Sequence, residues 1–452
     1  MARIAVIGAG RTGATMALVL LRRGHEVTLY SDRSAPDLLE NTPATGTAMV
    51  LGEALAVEQR FGLDSYEASA PGIAGMILRL APTVGVPALS AAGDLGVDIG
   101  RAVDTRLVSY DRMNAFTAAG GELRVTEVSV SDLDEVAAAH DLAMVATGKG
   151  GLSGLFERDP VRSGYTEPQR FLGMLTVTGI PLDGTAFSNT ANTANTAHTG
   201  DGRLYNSFSV IGDTGEGIWC PYLHKTAGPC WSWLGFARMG TPWEEAFRAA
   251  GSAAEMLAAV KRVYREDVPW EWESIRDAEV IESDRLSWLK GAVLPSVRAA
   301  AGRTPGGRPV LSLGDSSLTF DPLGAQGAQC GLKQVGHYSD AISRHEGAFD
   351  ADWMNATFED FYARYAEPSM AHTRTLLEGA GGGEIPQLLF AAAVGDRRVA
   401  DGVLRLLSQP QDAQPFGDTA DLLAWISRTC DGEDAQSVLA RAMAKVGELA
   451  AG

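Results

Sequence analysis

Two glycine-rich segments of this chain combine residue types and spacings that could bind a phosphorylated ligand. The first, GAGRTG at 8–13, follows the apolar run at 4–7 and opens an apolar-periodic segment. In this order, Gly8 allows the tight turn out of a strand, Gly10 lets the backbone approach a pyrophosphate, and Gly13 lets a helix pack closely on the sheet. The helix N-terminus then offers free N–H groups and a partial positive charge to the phosphates. The segment therefore predicts a dinucleotide-binding turn.

The residues after the next strand complete this prediction. The strand EVTLY at 26–30 makes a full β–turn–α–β unit with the glycine turn, and that context makes the motif specific. An acid is expected at the end of this strand to bind the ribose hydroxyls. Ser31 stands at the expected position, and Asp32 follows it. We predict that Asp32 binds the ribose, with Arg33 and Thr12 in the same cofactor site.

The second glycine-rich segment is GDSSLTFDPLGAQGAQCGL at 314–332, which follows a buried strand. A helix is predicted to begin near Gly327 and to run to about residue 345. Its N-terminus would offer N–H groups to the electron-rich edge of a ring, and Asp315 could accept hydrogen bonds from sugar-alcohol hydroxyls. A nicotinamide dinucleotide does not need this second element, whereas a flavin dinucleotide does. The two segments together predict FAD as the cofactor.

Other elements are needed to position these residues. The pattern predicts a helix over 102–121, a strand over 122–130 and an apolar strand within DLAMVATGKG at 141–150. The last strand can run beside the first one, so that Gly148 closes the dinucleotide site. An ordinary strand–loop boundary would have the same sequence pattern.

The middle and the end of the chain differ from this first part. Segments such as LGMLTVTGI at 172–180 alternate in the manner of antiparallel strands, and seven of the nine tryptophans lie within 219–288. Most of these tryptophans are expected in the core, with one or two lining a pocket for an apolar or aromatic ligand. The run NTANTANTA at 189–197 is expected to be an exposed loop without function. The helical patterns from 346 to 452 predict a covering or dimerising element.

Composition excludes several function classes. The chain has 452 residues, of which 45% are hydrophobic, and a formal net charge of -18. This length suits two or three domains, and the negative charge disfavours binding to nucleic acid. The start of the sequence resembles no leader, and no run of about eighteen apolar residues occurs, so we expect a cytoplasmic protein outside the membrane. The four cysteines lack C-x-x-C spacing and the histidines are dispersed, which favours neither disulfides nor a metal site.

In these motifs and their order, the chain resembles the oxygenase components of the styrene and indole monooxygenases. This resemblance implies an α/β fold in which a glutathione-reductase-like Rossmann FAD-binding domain (1–165 and 295–345) carries an inserted antiparallel β-sheet substrate domain (166–294) and a C-terminal helical region (346–452). The motifs that carry it are GAGRTG, VTLYSDR at 27–33, ENT at 40–42, VDTRL at 103–107, DLAMVATGK at 141–149, GAVLPSVR at 291–298 and GDSSLTFDPLGAQGAQ at 314–329.

The resemblance also implies roles for individual residues. It places Asp315 at the ribityl chain and an arginine, Arg106, near the flavin, although an ion pair at the surface would explain Arg106 as well. It places Pro322, Gly324 and Gly327 beside the isoalloxazine ring. The neighbouring residues of the same turn, Gln326 and Ala328, are assigned to the cofactor site with them.

Two departures from the family pattern affect this assignment. The usual sequence after Asp-Pro is x-x-Gly-x-Gly-x-Asn, whereas Gly324 comes one position early here and Gln329 replaces the asparagine. The family's Asn-Thr-x-x-His reads Asn41-Thr42-Pro43-Ala44-Thr45. We predict Asn41 and Thr45 as polar groups of the substrate pocket, and a plain helix or turn cap is the alternative for Asn41.

The activity that the resemblance implies is oxygenation by reduced FAD and dioxygen. A C4a-(hydro)peroxide would transfer one oxygen atom to an apolar or aromatic substrate by epoxidation, hydroxylation or heteroatom oxidation. The Asp-Gly motif of single-component hydroxylases is replaced by Ala146-Thr147-Gly148-Lys149, which favours a separate NAD(P)H:flavin reductase. The alternatives are a single-component FAD hydroxylase or oxidase, and a flavin-binding regulatory partner without oxygenase activity.

Overall fold

The computed structural model describes residues 1–86, 89–96, 99–188, 202–379, 384–413, 416 and 418–451. The NTANTANTA segment therefore lies outside the described residues. The strands and helices follow one another as β1 (Arg3–Ile7), α1 (Arg11–Arg22), β2 (Glu26–Ser31), α2 (Ala35–Asn41), α3 (Gly52–Arg60), β3 (Ile73–Ala81), β4 (Leu89–Asp94), α4 (Thr105–Ala118), β5 (Glu122–Val125), α5 (Leu133–Ala139), β6 (Leu142–Val145), β7 (Arg158–Asp159), α6 (Pro160–Ser163), β8 (Arg170–Thr178), β9 (Leu204–Ile211), β10 (Gly215–His224), β11 (Gly228–Arg238), α7 (Pro242–Ala249), α8 (Ala253–Glu266), α9 (Trp272–Ile275), β12 (Glu279–Val280), β13 (Trp288–Ala292), β14 (Ser296–Arg298), β15 (Ala301–Arg303), β16 (Pro309–Ser312), β17 (Leu318–Thr319), α10 (Gly327–Arg344), α11 (Ala351–Phe361), α12 (Glu367–Glu378), α13 (Glu384–Gly395), α14 (Arg397–Ser408), α15 (Thr419–Thr429) and α16 (Ala435–Ala451).

The first sheet has the strand order β15-β16-β6-β1-β2-β5 in the described part of the chain. Its strands are parallel except for the β15–β16 pair, and β1 lies between β2 and β6. Helices cover both faces, so the apolar run of β1 is buried on both sides. The predicted strand beside β1 is thus confirmed as β6. Both glycine-rich segments follow the carboxyl ends of strands in this sheet, β1 and β16, so they meet at one edge.

The second sheet is mainly antiparallel, with the order β12-β8-β11-β10-β9-β3-β4 and β13 paired to β8. The strand predicted at 172–180 is confirmed as β8. Two of its strands, β3 and β4, come from residues 73–94, before the stretch 166–294 to which the sequence analysis assigned the whole sheet. The parallel β3–β9 pairing joins residues far apart in sequence, and local patterns carry no information about such a pairing.

The tryptophans lie mostly on one face of this sheet, under α7 and α8. Four of them, Trp219, Trp231, Trp233 and Trp243, are fully buried in one aromatic core. They stabilise the sheet from the side opposite the cavity described below.

The C-terminal helices form two groups. α11 continues through a π-helical turn (Tyr362–Ala366) into α12, which packs on the first domain. α13 and α14 pack on β4, so closely that a Cβ added at Gly93 would lie 2.7 Å from the carbonyl oxygen of Ala400. Within the described ranges, no helix has both the length and the apolar character needed to cross a membrane.

Candidate active site

The turn after β1 shows a separate physical reason for each of its glycines. Gly8 has φ +111°, and a Cβ there would lie 2.4 Å from the carbonyl oxygen of Ala146. A Cβ at Gly13 would lie 2.0 Å from the carbonyl oxygen of Gly8. A Cβ at Gly10 meets no atom within 4 Å. Packing therefore requires Gly8 and Gly13, while Gly10 leaves an open space in front of the helix.

The N-terminus of α1 faces this open space. Gly10 caps the helix in an extended conformation without a side-chain bond, and the first turn contains no acid. The first N–H groups of a helix have no partner within it, so they are available to an anion. Arg11 donates to the carbonyl oxygen of Ala48 (3.1 Å) and pairs with Glu58 (3.3 Å), which fixes the segment across the opening. These features fit a pyrophosphate.

Thr12 brings the two glycine-rich segments into contact. A Cβ at Gly331 would lie 2.6 Å from the hydroxyl oxygen of Thr12, and one at Gly314 would lie 3.4 Å from its Cβ. Gly314 has φ +62°, and its N–H donates to Oε1 of Gln334 on α10 (2.7 Å). The second segment therefore packs directly against the N-terminus of α1.

The N-terminus of α10 opens into the same cavity. Gly327 and Ala328 line it, no side-chain bond caps the helix and no acid lies in its first turn. Asp315, whose side chain is 43% exposed, also lines the cavity, 3.8 Å from the Lys149 ammonium. Burial raises the pKa of Asp315 above its ordinary value, and the charge of Lys149 opposes this rise. The part of the carboxyl group that is exposed to the cavity can accept hydrogen bonds from a ligand's hydroxyls.

The structure explains the early glycine at 324. A Cβ at Gly324 would lie 2.1 Å from the hydroxyl oxygen of Thr373 on α12. The left-handed conformation that favours glycine is adopted by the next residue, Ala325, at φ +53° and ψ +27°. The glycine thus serves helix packing, and an alanine adopts the strained turn conformation.

Gln326 lies in this turn but not along the cavity. Its fully buried amide donates to the carbonyl oxygens of Gly324 and Leu407, both at 3.0 Å, and its Oε1 accepts from Ser369 (3.1 Å). The side chain connects the turn to α12 and α14. Contact of this side chain with the cofactor remains a prediction.

A single cavity of about 660 Å³ extends from both helix N-termini to the second sheet. Its far walls are almost entirely apolar. They are formed by Met76, Leu78, Ala91, Leu172, Phe208, Ile218, Cys220, Leu234, Phe236, Leu289, Leu376, Ala393, Ala400, Val403, Leu404 and Leu407. None of the tryptophans lines this cavity in the part of the chain that the structure describes, and its large apolar rings are those of Phe208, Phe236 and Phe320.

The C-terminal helices α13 and α14 contribute a wall that sequence reasoning missed. Ala400, Val403, Leu404 and Leu407 of α14 face the cavity, opposite β4. Their apolar spacing matches that of any amphipathic helix, so no sequence signal distinguished a cavity wall from ordinary core packing. These helices therefore form part of the cavity wall in addition to packing on β4.

The two predicted pocket residues have different positions. Thr45 lines the cavity and shares a hydrogen bond with the Thr105 hydroxyl (2.7 Å). Asn41 ends α2 with an exposed side chain, and its amide donates to Oδ1 of Asp37 (2.7 Å), one turn earlier in that helix. The structure does not bring Asn41 to the cavity.

The predicted ribose-binding residues lie at the surface near the carboxyl end of β2. Asp32 and Arg33 form an ion pair (3.4 Å), and the Asp32 side chain is 63% exposed. Gly148 follows β6 with φ +73°, and a Cβ there would meet no atom within 4 Å. These positions are open to a ligand, and their contacts with one remain predictions.

Arg106 is buried and does not line the cavity. Its guanidinium makes a bidentate pair with Asp104 (2.7 and 2.9 Å) and lies 2.7 Å from Asp284. It also donates to the carbonyl oxygen of Thr42 (3.2 Å), just before the segment that crosses the cavity mouth. Arg106 therefore forms ion pairs, as the alternative interpretation expected. These pairs are buried and not at the surface, because the side chain is only 2% exposed.

The same network holds a group of potential metal ligands. One ligand atom from each of Asp104, His224 and Asp284 lies within 4.8 Å of the other two. Arg106 and Lys225 lie within 2.7 and 3.6 Å of Asp284, so two cations already balance the two acids. Although burial opposes it, hydrogen bonds from His224 and Arg106 hold the pKa of Asp284 below its usual range. We interpret the network as a structural ion-pair cluster.

Comparisons with known sequences agree with this geometry. A family model described as "Styrene monooxygenase A putative substrate binding domain" matches residues 148–274. Styrene monooxygenase StyA of Pseudomonas fluorescens is 29% identical over 332 residues, covering 72% of this chain and 74% of that protein. StyA of a Pseudomonas species is 29% identical over 345 residues, with the same two coverages. These similarities support a relationship to the oxygenase components of styrene monooxygenases.

Several solved structures share the fold of this chain. The flavin-dependent brominase Bmp2 is 12% identical with a TM-score of 0.61, covering 98% of both chains. A flavoprotein/dehydrogenase from Cytophaga hutchinsonii is 10% identical with a TM-score of 0.62, covering 99% of both chains. Halogenase PltM, in complex with phloroglucinol and FAD, is 12% identical with a TM-score of 0.60, covering 100% of this chain and 96% of that one. At such identities the likeness shows the fold alone, and it confirms the predicted Rossmann-type FAD-binding class.

Proposed function

We propose that this chain is the oxygenase component of a two-component FAD-dependent monooxygenase. It takes reduced FAD from a separate NAD(P)H:flavin reductase and transfers one oxygen atom of dioxygen to an apolar or aromatic substrate. The observation that carries this proposal is the continuous cavity, which connects the two glycine-rich segments to an apolar chamber. A cofactor bound at one end would reach a substrate bound at the other.

The residues present fit FAD. The open space at Gly10 and the uncapped start of α1 suit the pyrophosphate, and Asp315 suits the ribityl hydroxyls. The N–H groups at Gly327 and Ala328 suit the electron-rich edge of the ring, beside Pro322. When bound, reduced FAD supplies the activation of dioxygen, which no side chain of the cavity can provide.

The protein's own contribution is to orient the substrate and to exclude water. The far walls of the cavity are aliphatic and phenylalanine side chains, which favour a flat apolar substrate over bulk water. Excluding water protects the activated oxygen from loss as hydrogen peroxide. The threonines at the cavity mouth bond to other protein hydroxyls, Thr45 to Thr105 and Thr47 to Ser232 (2.9 Å).

The proposed electron route rests on the segment after β6. Ala146-Thr147-Gly148-Lys149 occupies the place where the resemblance puts Asp-Gly in enzymes that react directly with NAD(P)H. Lys149 lines the cavity 3.8 Å from Asp315, so this segment is part of the proposed FAD site rather than of a separate site for NAD(P)H. Delivery of FAD that is already reduced requires no such site.

Two experiments on the purified protein loaded with FAD test this function. Anaerobic mixing with NADH or NADPH should leave the flavin absorbance unchanged, and rapid bleaching would contradict the two-component route. Photoreduced FAD, labelled dioxygen and a panel of styrenes, indoles and sulfides should then give products with one labelled oxygen atom. Free reduced FAD without the protein is the control and should give only hydrogen peroxide. Hydrogen peroxide alone across the whole panel would contradict the oxygenase function.

A further inference from the structure

The cavity contains one imidazole among its described lining residues, that of His372 on α12. Its Nε2 is buried and has no hydrogen-bond partner among the described residues. Buried polar side-chain atoms in proteins usually have a partner, so an exception needs an explanation. The exception lies at the wall of a ligand cavity.

The position of His372 on α12 places it in the wall of the cavity. Leu376, one turn later, also lines the cavity, while Thr373 packs on Gly324 from the adjacent face of the helix. Residues four apart share a helix face, so His372 and Leu376 form one strip of the wall. This strip lies beside the turn that begins with Pro322, at the proposed flavin end of the cavity.

Burial keeps this imidazole neutral. It lowers the pKa of His372 to about 4, because a charged ring would lose its hydration there. A neutral imidazole has one N–H donor and one acceptor nitrogen, so it can bond to either kind of group. In contrast, the hydroxyls of Thr45 and Thr47 already bond to protein groups.

We propose that His372 is a substrate-positioning residue that hydrogen-bonds to a heteroatom of an aromatic substrate. This inference rests on the proposed function, because it assigns the apolar chamber to the substrate. It narrows the substrate class to aromatic molecules with one hydrogen-bonding atom in or on the ring system. The bond fixes which edge of the substrate faces the flavin.

Three compounds of nearly equal shape test this proposal. Indole carries a donor, benzofuran an acceptor, and indene neither. Their dissociation constants are measured from the change in the visible spectrum of the protein loaded with oxidised FAD, so no turnover is needed. Indole or benzofuran should bind about tenfold more tightly than indene, as expected for one hydrogen bond. His372→Leu and His372→Phe should remove this preference, and His372→Gln should keep part of it.

Thr375→Ser is the matched control, since Thr375 is an exposed residue of the same helix and is not among the described residues that line the cavity. It should leave the three ratios unchanged. Equal binding of all three compounds to the wild-type protein, or a preference that survives in both His372→Leu and His372→Phe, would overturn the role of His372. If reduced FAD and dioxygen convert none of the three compounds, the proposed function fails, and the binding ratios still decide the role of His372.

Discussion

Gly10 and Gly13 belong to one motif, yet substitution by alanine should affect them in different ways. At Gly13 the added Cβ would lie 2.0 Å from the carbonyl oxygen of Gly8, which is backbone and cannot move without shifting α1 against β1. At Gly10 the added Cβ meets no protein atom within 4 Å, and φ is -64°, which alanine adopts without strain. Gly13→Ala should therefore perturb folding, and Gly10→Ala should perturb cofactor binding.

The expected sizes follow from these contacts. Overpacking at Gly13 should cost about 1–3 kcal/mol, against which the better helix propensity of alanine offsets at most ~1 kcal/mol. At Gly10, alanine is a poorer N-cap residue, which should destabilise the protein by about 0.5–1 kcal/mol. Alanine also lowers the entropy of the unfolded chain, which should stabilise the protein by about the same amount. Apoprotein stability should therefore change little. A methyl group where the pyrophosphate binds should weaken FAD binding about 5- to 150-fold, the same 1–3 kcal/mol of overpacking.

Urea unfolding of the apoprotein and FAD titration by flavin fluorescence measure the two effects separately. Gly447→Ala in α16 is the control, because its Cβ also meets no atom within 4 Å and lies far from the cavity. It should stabilise the helix slightly and leave FAD binding unchanged. Equal destabilisation by Gly10→Ala and Gly13→Ala, or wild-type FAD affinity in Gly10→Ala, would refute the separate roles derived from the Cβ distances.

Three further outcomes are expected from the buried contacts. In urea unfolding, Gly324→Ala should destabilise the protein by about 1–3 kcal/mol, because its Cβ clashes with Thr373. Ala325→Gly should be neutral or stabilising, because glycine adopts the left-handed conformation without strain. Destabilisation by both substitutions would contradict this account. Arg106→Met should cost about 3–5 kcal/mol, since two buried acids lose their cation, and a loss below ~1 kcal/mol would show that water reaches them. Between pH 6.5 and about 4, His372 is protonated in the unfolded chain but stays neutral in the native protein. The free energy of unfolding should therefore fall as the pH falls, by up to about 3 kcal/mol. His372→Gln should lack this part of the pH dependence.

The parts of the fold that sequence could predict are those set by neighbouring residues. The β1–turn–α1–β2 unit is encoded by glycine spacing, an apolar run and helical periodicity within about thirty residues. The start of α10 at Gly327 was predicted for the same reason, and the structure confirms it. In both places the conformation depends on contacts along the chain, so the local pattern was sufficient.

The parts that sequence could not predict depend on contacts between distant residues. β3 joins the second sheet through a parallel pairing with β9, in which Ile77 lies opposite Ser207. Arg106 pairs with Asp284, which is far away in sequence, and neighbouring residues do not indicate such a partner. The cavity wall of α14 has the same apolar pattern as a core helix. In each case the missing information was the identity of a partner, which periodicity does not encode.

The glycine at 324 has moved by one position within the motif, while the left-handed backbone conformation stays at residue 325. Two constraints act on adjacent residues: close packing against α12 at Gly324, and a left-handed conformation at Ala325. A Cβ at Gly324 would lie 2.1 Å from the hydroxyl oxygen of Thr373, at a cost of about 1–3 kcal/mol, whereas a left-handed alanine costs about 1–2 kcal/mol. A chain that brings α12 this close therefore gains more from a glycine at the packing position than from one at the next residue. The early glycine is therefore evidence about the C-terminal helices, because it packs the turn proposed to bind the flavin against the same helix that carries His372.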